Sequence, residues 1–286
     1  MTNLQTKPIK TSKTIKTVSK NIPILIDPLK NKCIGKGGYS SIYAIDSKTA
    51  GKLISVPVER ITDRSLTSFT PNDNPWRELH IHALINKTLP VSARVVRMVS
   101  NTFDGSSLHI IMDRYDGDVN SLLQSDPVNM RNELVKSVCI QLIQGYNYLW
   151  SKLGFHHGDA GPGNLLFKKV KRNPKEKLVV GRNKIVFDNA GVRIAVSDFG
   201  SALVKEFPMN IDEKEYYSQV CTDKGVSINV WEHLAFIADL VPEHTKLSNL
   251  VYKSVLFYRA NKDIYVVDRV KPGWSLNKIL SDIETW

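Results

Sequence analysis

The chain has 286 residues, and 42% of them are hydrophobic, which is enough for one large domain or two lobes with a real core. Its formal net charge of +11 favours an anionic partner and says nothing about the fold. Three scattered cysteines without a C-x-x-C pattern argue against disulfides and zinc, and the lack of a long apolar stretch or an apolar signal core argues against secretion and membrane insertion.

Residues 1–22 carry five lysines among serines and threonines and have little to bury, which predicts a basic, flexible tail. Residues 23–115 predict a small antiparallel sheet. Its strands are expected on both sides of a glycine-rich turn within residues 31–46, and again at residues 51–58, 93–100 and 107–115. A polar loop is expected between residues 60 and 74, followed by one helix over residues 75–89 that begins at Pro75.

The character of the chain changes after residue 115. A short helix and a long helix are expected within residues 120–154, separated at Asp126 and Pro127 and closed by Gly154. Strands are expected at residues 164–170 and 184–189 and from residue 192 to Asp198, and apolar helices at residues 227–240 and 247–260. Because strands with one helix come first and helices come second, we predict two lobes, residues 23–115 and 116–286.

The first chemical signal is the glycine cluster of "IGKGGYSS", residues 34–41, formed by Gly35, Gly37 and Gly38. A dinucleotide-binding fold would place a helix after such glycines, whereas here a strand follows. A glycine turn between two strands makes a lid whose backbone amides can approach phosphates closely. A plain hairpin turn is the alternative.

The second signal is the pair Lys52 and Glu78. Lys52 lies ten residues past Ile42 on the next strand after the glycine hairpin and points toward that hairpin, and Glu78 lies on the helix predicted in the first half. An ion pair between them would hold the α and β phosphates of a nucleotide. A lone lysine on a strand is usually solvated, so that alternative stays open. Lys48 falls in a turn and is the weaker candidate for the same role.

The third signal is "HHGDAGPGNLLF", residues 156–167, which is polar, contains glycine and proline, and becomes apolar only at Leu165. This pattern predicts a rigid loop that enters a strand. Asp159 in the loop can accept the proton of an attacking hydroxyl. Asn164 can hold Mg²⁺ together with Asp198, which ends a strand in "VSDFGSA", since this ion needs only one or two protein oxygens beside phosphate oxygens.

With these residues in this order, the chain resembles the protein kinase superfamily over about residues 30–242. The motifs are "IGKGGYSSIY" for the glycine-rich loop, "GKL" with Lys52, "RELHIHAL" with Glu78 for helix C, "HHGDAGPGN" for the catalytic loop, and "DFG". The resemblance implies a bilobal, kinase-like α+β fold, with a small antiparallel N-lobe sheet, one helix C and a mainly helical, abbreviated C-lobe. It also implies ATP and Mg²⁺ as cofactors, with Asp159, Lys52 and Glu78 as catalytic residues and Asn164 and Asp198 as metal ligands.

The resemblance further implies a nucleotide site in which Met112 lies beside the adenine and residues 113–115 form the hinge. The implied nucleotide-binding residues are Gly35, Lys36, Gly37, Gly38, Tyr39, Ser40, Ile42, Lys52, Met112, Asp113 and Tyr115. The loop sequences look most like divergent Ser/Thr kinases of large DNA viruses, including poxviruses, so the expected location is the host cytoplasm or a virion.

Two residues of the catalytic loop depart from the family. Gly158 replaces the usual arginine before the aspartate, and Gly161 replaces the usual lysine two residues after it. The arginine normally meets a phosphate on the activation segment, so its absence predicts activity without that phosphorylation. Loss of the lysine would cost about 3 to 4 kcal/mol, or roughly 10² to 10³ in rate, unless a residue such as Lys168 or Lys205 substitutes.

A basic insertion near residues 168–186 replaces a turn that is short in the family. It predicts either a solvated hairpin or a surface that binds an acidic protein or nucleic acid. The basic tail could serve the same partners.

The function predicted from these motifs is an ATP-dependent Ser/Thr protein kinase that acts on protein substrates. A pseudokinase that serves as a binding or packaging scaffold is one alternative, because of Gly161 and the abbreviated second lobe. A small-molecule phosphotransferase similar to the aminoglycoside kinases is another, because those enzymes manage without the lysine.

Overall fold

The structure is a computed structural model that describes residues 24–38, 40–62, 64, 66, 74–125, 128–181, 183–220, 228–261, 264–270 and 276–286. The tail predicted at residues 1–22, the predicted site residue Tyr39 and the helix break predicted at Asp126 and Pro127 lie outside these ranges.

A five-stranded antiparallel sheet dominates the first half of the chain, with the strand order β1-β2-β3-β5-β4. Its strands are β1 (Lys32–Lys36), β2 (Ser40–Ala44), β3 (Thr49–Ser55), β4 (Met98–Phe103) and β5 (Ser107–Asp113). Among the residues described between β3 and β4, two helices are formed, namely α1 (Val58–Thr62) and α2 (Pro75–Thr88). Helix α1 was not predicted, and it occupies the start of the expected polar loop.

Helix α2 begins where the sequence predicts. The side chain of Asn74 caps it by accepting hydrogen bonds from the backbone N–H groups of Trp76 and Arg77, both at 3.1 Å, and Pro75 needs no such partner. Ile81 and Ile85 are fully buried on its inner face. These caps and contacts set the position of the helix beside the sheet.

The strand predicted at residues 93–100 is wrong in its first half, because β4 begins only at Met98. Residues 94–96 instead contact the second half of the chain: the N–H of Val96 donates to the carbonyl of Val196 at 2.9 Å, and the N–H of Val196 donates to the carbonyl of Arg94 at 2.9 Å. The apolar run that suggested a strand is therefore buried where the two halves meet.

The second half contains more helices and several short strands. Its elements are β6 (Gly117–Asp118), α3 (Val119–Ser125), α4 (Val128–Leu153), β7 (Phe155–His156), β8 (Leu165–Lys169), β9 (Glu176–Val180), β10 (Asn183–Phe187), β11 (Val192–Val196), β12 (Leu203–Val204), α5 (Ile211–Val220), α6 (Ile228–Leu240), α7 (Thr245–Ser254), β13 (Val255–Asn261), β14 (Ile264–Val270) and α8 (Leu276–Glu284). The α+β architecture is confirmed. None of the described helices combines the length and apolar content that a membrane crossing needs.

Two boundaries in the second half differ from the sequence prediction. The strand expected to end at Asp198 ends at Val196. The helix expected over residues 247–260 ends at Ser254, and Val255–Asn261 pairs with Ile264–Val270 as an antiparallel hairpin. The segment "VLFYRAN" is rich in β-branched and aromatic residues, which favours a strand once a partner strand is available.

The basic insertion forms the antiparallel hairpin β9–β10. Its inner face is not solvated, because Leu178, Val180, Ile185 and Phe187 all belong to the main hydrophobic core. Its outer face is exposed, and Val186 on that face is 59% accessible. The insertion is therefore an integral part of the second lobe with one free face.

We expect Ile185→Ala to lower the free energy of unfolding by about 2 to 5 kcal/mol, since Ile185 is 3% exposed and its loss leaves a core cavity. Val186→Ala, one residue further on the outer face, should change it by less than about 0.5 kcal/mol. Urea unfolding of both variants measures the difference. Equal effects would contradict the buried inner face.

Candidate active site

A cleft of about 420 Å³ lies between the five-stranded sheet and the second lobe. Nine of the eleven predicted nucleotide-binding residues line it: Gly35, Lys36, Gly37, Ser40, Ile42, Lys52, Met112, Asp113 and Tyr115. Gly38 lines a neighbouring cavity of about 620 Å³. The structure thus gathers these residues around one space, and their binding role stays a prediction.

The glycine turn lines one side of this cleft. Strand β1 pairs with β2 so that Gly35 lies opposite Ile42, and the N–H of Gly37 donates to the carbonyl of Ser40 at 2.8 Å. Gly37 and Gly38 are exposed, and no atom within 4 Å would meet a Cβ added at Gly38. Because Gly37 and Gly38 have no side chains, a ligand can approach their backbone closely.

Lys52 forms a buried ion pair with Glu78. The Nζ atom lies 2.8 Å from Oε1 and 3.0 Å from Oε2 of Glu78, and both residues are less than a tenth exposed. Strand β3 places Lys52 between Ile42 and Ile110 of its neighbouring strands, and the first turn of α2 places Glu78. The weaker candidate, Lys48, is exposed in the β2–β3 turn and does not line the cleft.

Asp198 is the third member of this cluster. Its Oδ1 lies 2.8 Å from Nζ of Lys52, and its side chain is 44% exposed toward the cleft. Burial alone would lower the pKa of Lys52, but the carboxylates of Glu78 and Asp198 outweigh it and raise that pKa. Burial likewise works to raise the pKa of Asp198, and the charge of Lys52 reverses this and lowers it. Lys52 and Asp198 are therefore both charged near neutral pH.

His157 fixes the catalytic loop from below. It is fully buried, its Nε2–H donates to the carbonyl of Ser197 at 2.8 Å, and its Nδ1 accepts from the N–H of Asp159 at 3.3 Å. Burial lowers the pKa of His157, which keeps the ring neutral in this tautomer. The backbone N–H of His157 donates to Oδ1 of Asn229 on α6 at 2.7 Å.

Asn164 and Asp159 lie side by side in the loop. The Nδ2 group of Asn164 donates to the carbonyl of Asp159 at 2.8 Å and to its Oδ2 at 3.0 Å, which orients the carboxylate. Strands β8 and β11 are antiparallel partners, so Asn164, just before β8, and Asp198, after β11, leave the sheet at the same end. The N–H of Ser197 reinforces this by donating to the carbonyl of Asn164 at 2.9 Å.

The residues predicted to hold a metal suit Mg²⁺. Asn164 and Asp198 both line the cleft and offer an amide oxygen and a carboxylate, the hard oxygen ligands that this ion takes. Within the described ranges no cluster of three or more His, Cys, Asp or Glu is arranged for a metal. A two-residue site completed by phosphate oxygens is consistent with that finding.

Two residues of the site were not singled out from the sequence. His82 lies one helical turn after Glu78, with Nε2 3.8 Å from Oε1 of Glu78 and its ring centroid 4.9 Å from that of Phe199. Its i, i+4 spacing from Glu78 on the predicted helix was the available signal. Asn229 was also missed, and a polar residue at the start of an apolar helix was the signal there.

The chain is similar in sequence to known proteins. The protein kinase domain family matches residues 29–224. A probable serine/threonine-protein kinase of Dictyostelium discoideum, fhkB, is 25% identical over 190 residues, or 66% of this chain and 14% of that protein. Cyclin-dependent kinase 14 of Oryctolagus cuniculus is 25% identical over 182 residues, or 64% and 32%. A probable serine/threonine-protein kinase of Arabidopsis thaliana is 24% identical over 238 residues, or 77% and 37%. The chain therefore spans well under half the length of each of these relatives.

Gly158 and Gly161 provide a matched pair of substitutions in the catalytic loop. Gly158 has φ +76°, and a Cβ there would lie 2.4 Å from the carbonyl oxygen of Ser201. We expect Gly158→Ala to lower the free energy of unfolding by about 2 kcal/mol or more, because the left-handed backbone alone costs an L-residue about 1 to 2 kcal/mol. Gly161→Ala should be neutral or slightly stabilising, since φ is −96° and no atom lies within 4 Å of the added Cβ. Chemical denaturation measures both, and a Gly158→Ala protein as stable as the wild type would contradict the close approach.

Proposed function

Because the chain belongs to the protein kinase family, we propose that it transfers the γ-phosphoryl group of ATP to serine and threonine hydroxyls of proteins. The observation that carries this proposal is a cluster at the wall of the cleft, in which the buried pair of Lys52 and Glu78 meets the partly exposed carboxylate of Asp198. A binding scaffold released from catalysis has no physical need to bury an ammonium between two carboxylates and open it to a cavity.

The proposed binding step uses the charge of Lys52. Glu78 holds the ammonium at 2.8 Å, so the lysine needs no reorganisation to contact the α and β phosphates of ATP. The exposed backbone of the glycine turn covers these phosphates from above. Mg²⁺ held by Asn164 and Asp198 would neutralise charge on the phosphate oxygens.

The proposed transfer step uses Asp159. Its carboxylate accepts the proton of the acceptor hydroxyl, whose oxygen forms a bond to the γ-phosphorus as the bond to the β-γ bridging oxygen breaks and ADP leaves. The hydrogen bond from Asn164 holds Oδ2 in place, and the cavity of about 620 Å³ beside Asp159 gives the acceptor room. Gly161 leaves this loop without the usual cation, so we expect a slow enzyme.

We also propose that this activity needs no phosphate on the segment after Asp198. An arginine at position 158 would be the group that meets such a phosphate, and the positive φ and the carbonyl of Ser201 leave room only for glycine there.

The viral assignment and the location in host cytoplasm or a virion remain proposals. They rest on the "GKGG" turn followed by an aromatic residue and on the "HGD" loop.

We further propose that the hairpin β9–β10 binds an acidic protein segment. Lys177 and Lys184 are exposed on its outer face and form no ion pair among the described residues, whereas Arg172 is already paired with Asp188. The same face exposes Val179 and Val186 and, within its described part, no aromatic ring on which a base could stack. Alternating lysine and valine suits a peptide with acidic and aliphatic residues better than a nucleic acid.

The transferase proposal is tested with purified protein, Mg²⁺, γ-labelled ATP and casein. We expect wild type to label serine or threonine and Asp159→Asn to lower the rate at least about 100-fold, since a general base contributes about 10² to 10⁴. Asp198→Asn should also lower the rate, because it removes the carboxylate proposed to hold Mg²⁺. Asp212→Asn, an exposed substitution with the same charge change, is the control. Undiminished transfer by Asp159→Asn would defeat the mechanism. Transfer to amino sugars instead of protein would indicate a small-molecule enzyme, and binding of ATP without transfer would indicate a scaffold.

The hairpin proposal is tested by fluorescence anisotropy with a labelled glutamate- and valine-rich peptide. We expect the double variant Lys177→Glu/Lys184→Glu to weaken binding about ten-fold, and the double variant Lys152→Glu/Lys214→Glu, with the same charge change at other exposed positions, to have little effect. Equal weakening by both variants would show that binding depends only on the net charge of the protein and not on the hairpin. Tighter, hairpin-dependent binding of single-stranded DNA would assign the surface to nucleic acid.

A further inference from the structure

A buried ion pair joins helix α2 to helix α5, which follows the Asp198–Gly200 turn. Nη1 of Arg77 lies 2.7 Å from Oε1 of Glu213, and the two side chains are 3% and 9% exposed. The residues are 136 positions apart in the chain. A pair this well buried and this distant in sequence fixes two elements relative to one another.

Arg77 directly precedes Glu78 on α2, so the first turn of this helix is held on two sides. Glu78 contacts Lys52 of β3, and Arg77 contacts Glu213 of α5. The Nε group of Arg77 also donates to the carbonyl of Leu66 at 2.7 Å. A rotation of α2 that broke one contact would disturb the other.

Glu213 is held in place by its own helix. The N–H of Glu213 donates to Oδ1 of Asn210 at 2.8 Å, and the N–H of Asn210 donates to Oε2 of Glu213 at 2.9 Å. This reciprocal arrangement is a capping box, with Glu213 as the third helical residue. One carboxylate oxygen caps α5 and the other receives Arg77, so the carboxylate is oriented before the pair forms.

Helix α5 is also attached to the base of the catalytic loop. The hydroxyl of Tyr217 donates to the carbonyl of Gly154, and the hydroxyl of Tyr216 lies 3.3 Å from Nε2 of His156. Gly154 and His156 immediately precede the loop that carries Asp159. Helix α5 therefore contacts both the segment that leads into the Asp159 loop and helix α2, which carries Glu78.

We propose that Arg77 and Glu213 are positioning residues that keep Glu78 and Lys52 in the catalytic arrangement, with the carboxylate of Glu213 supplying the permanent negative charge that a phosphate would otherwise supply. This inference rests on the proposed transferase function and names how its site is regulated. The ion pair of Arg77 and Glu213 then keeps the enzyme in its active form without a modification.

The test compares Glu213→Gln with Asp212→Asn. Glutamine keeps the capping oxygen and removes only the charge, whereas Asp212 is exposed one residue earlier and undergoes the same charge change. We expect Glu213→Gln to lower kcat at least ten-fold, to weaken binding of a non-hydrolysable ATP analogue, and to speed amide hydrogen exchange in residues 75–88. Asp212→Asn should stay within two-fold of wild type, and phosphatase treatment of wild type should change nothing.

A second variant covers the case in which Glu213→Gln fails to fold. The double variant Arg77→Gln/Glu213→Gln leaves no uncompensated buried charge and should fold, with a kcat no lower than that of either single variant because both remove the same contact. Strictly multiplicative effects of the two single substitutions would overturn the proposal.

The two proposals fail in different ways. A wild type that transfers no phosphoryl group defeats the transferase function. Binding of the ATP analogue and hydrogen exchange in α2 then still test the positioning role of Arg77 and Glu213. A Glu213→Gln protein with a lower Tm but unchanged kcat, analogue binding and exchange in α2 would show a merely structural contact. Activity lost on phosphatase treatment would show that a phosphate, not Glu213, supplies the charge.

Discussion

The arrangement of the site depends on one buried ammonium group. Lys52 is 6% exposed, and a charge so far from water is tolerated only when partners compensate it closely. Its two carboxylate partners come from different parts of the chain, Glu78 from α2 and Asp198 from the end of β11. Removing one partner of a buried pair typically costs about 3 to 5 kcal/mol, so the ammonium holds the sheet, the helix and the second lobe in one relative position.

The segment around Asp198 is constrained by backbone conformation as well as by charge. Asp198 has φ +59°, a left-handed value that is uncommon for a residue with a side chain. Strain of about 1 to 3 kcal/mol persists only where the surroundings enforce it. Here the surroundings are the ion pair with Lys52 and the hydrogen bond from the N–H of Ser197 to the carbonyl of Asn164. The two loops that face the cleft are thus fitted to each other at backbone level.

Much of the site could be predicted from the sequence because its residues sit in local patterns. Lys52 follows a glycine turn, Glu78 lies in a capped helix, and Asp159 and Asn164 share a short polar loop. The pair of Arg77 and Glu213 could not be predicted, since no periodicity relates residues 136 positions apart.

The errors in the fold have different causes. In residues 255–260 an apolar run fits a helix or a strand equally well, and the pairing with β14 decides in favour of the strand. In the insertion the alternation of apolar residues that predicts a half-buried strand was present, but the many lysines and arginines around it suggested a solvated segment. Leu178 and Val180 alternate with Lys177 and Val179, as expected of a strand with one buried face.

The absence of an arginine at position 158 and the presence of the ion pair between α2 and α5 both bear on how positive charge near the site is compensated. An arginine at position 158 would need a phosphate to neutralise it, and without that phosphate it would be an uncompensated charge near the active site. This chain has Gly158 in the loop instead, and its arginine on α2, Arg77, is paired with the carboxylate of Glu213. In the proposed mechanism this pair takes the place of a phosphate contact, so we propose that α2 is held in place in the unmodified chain.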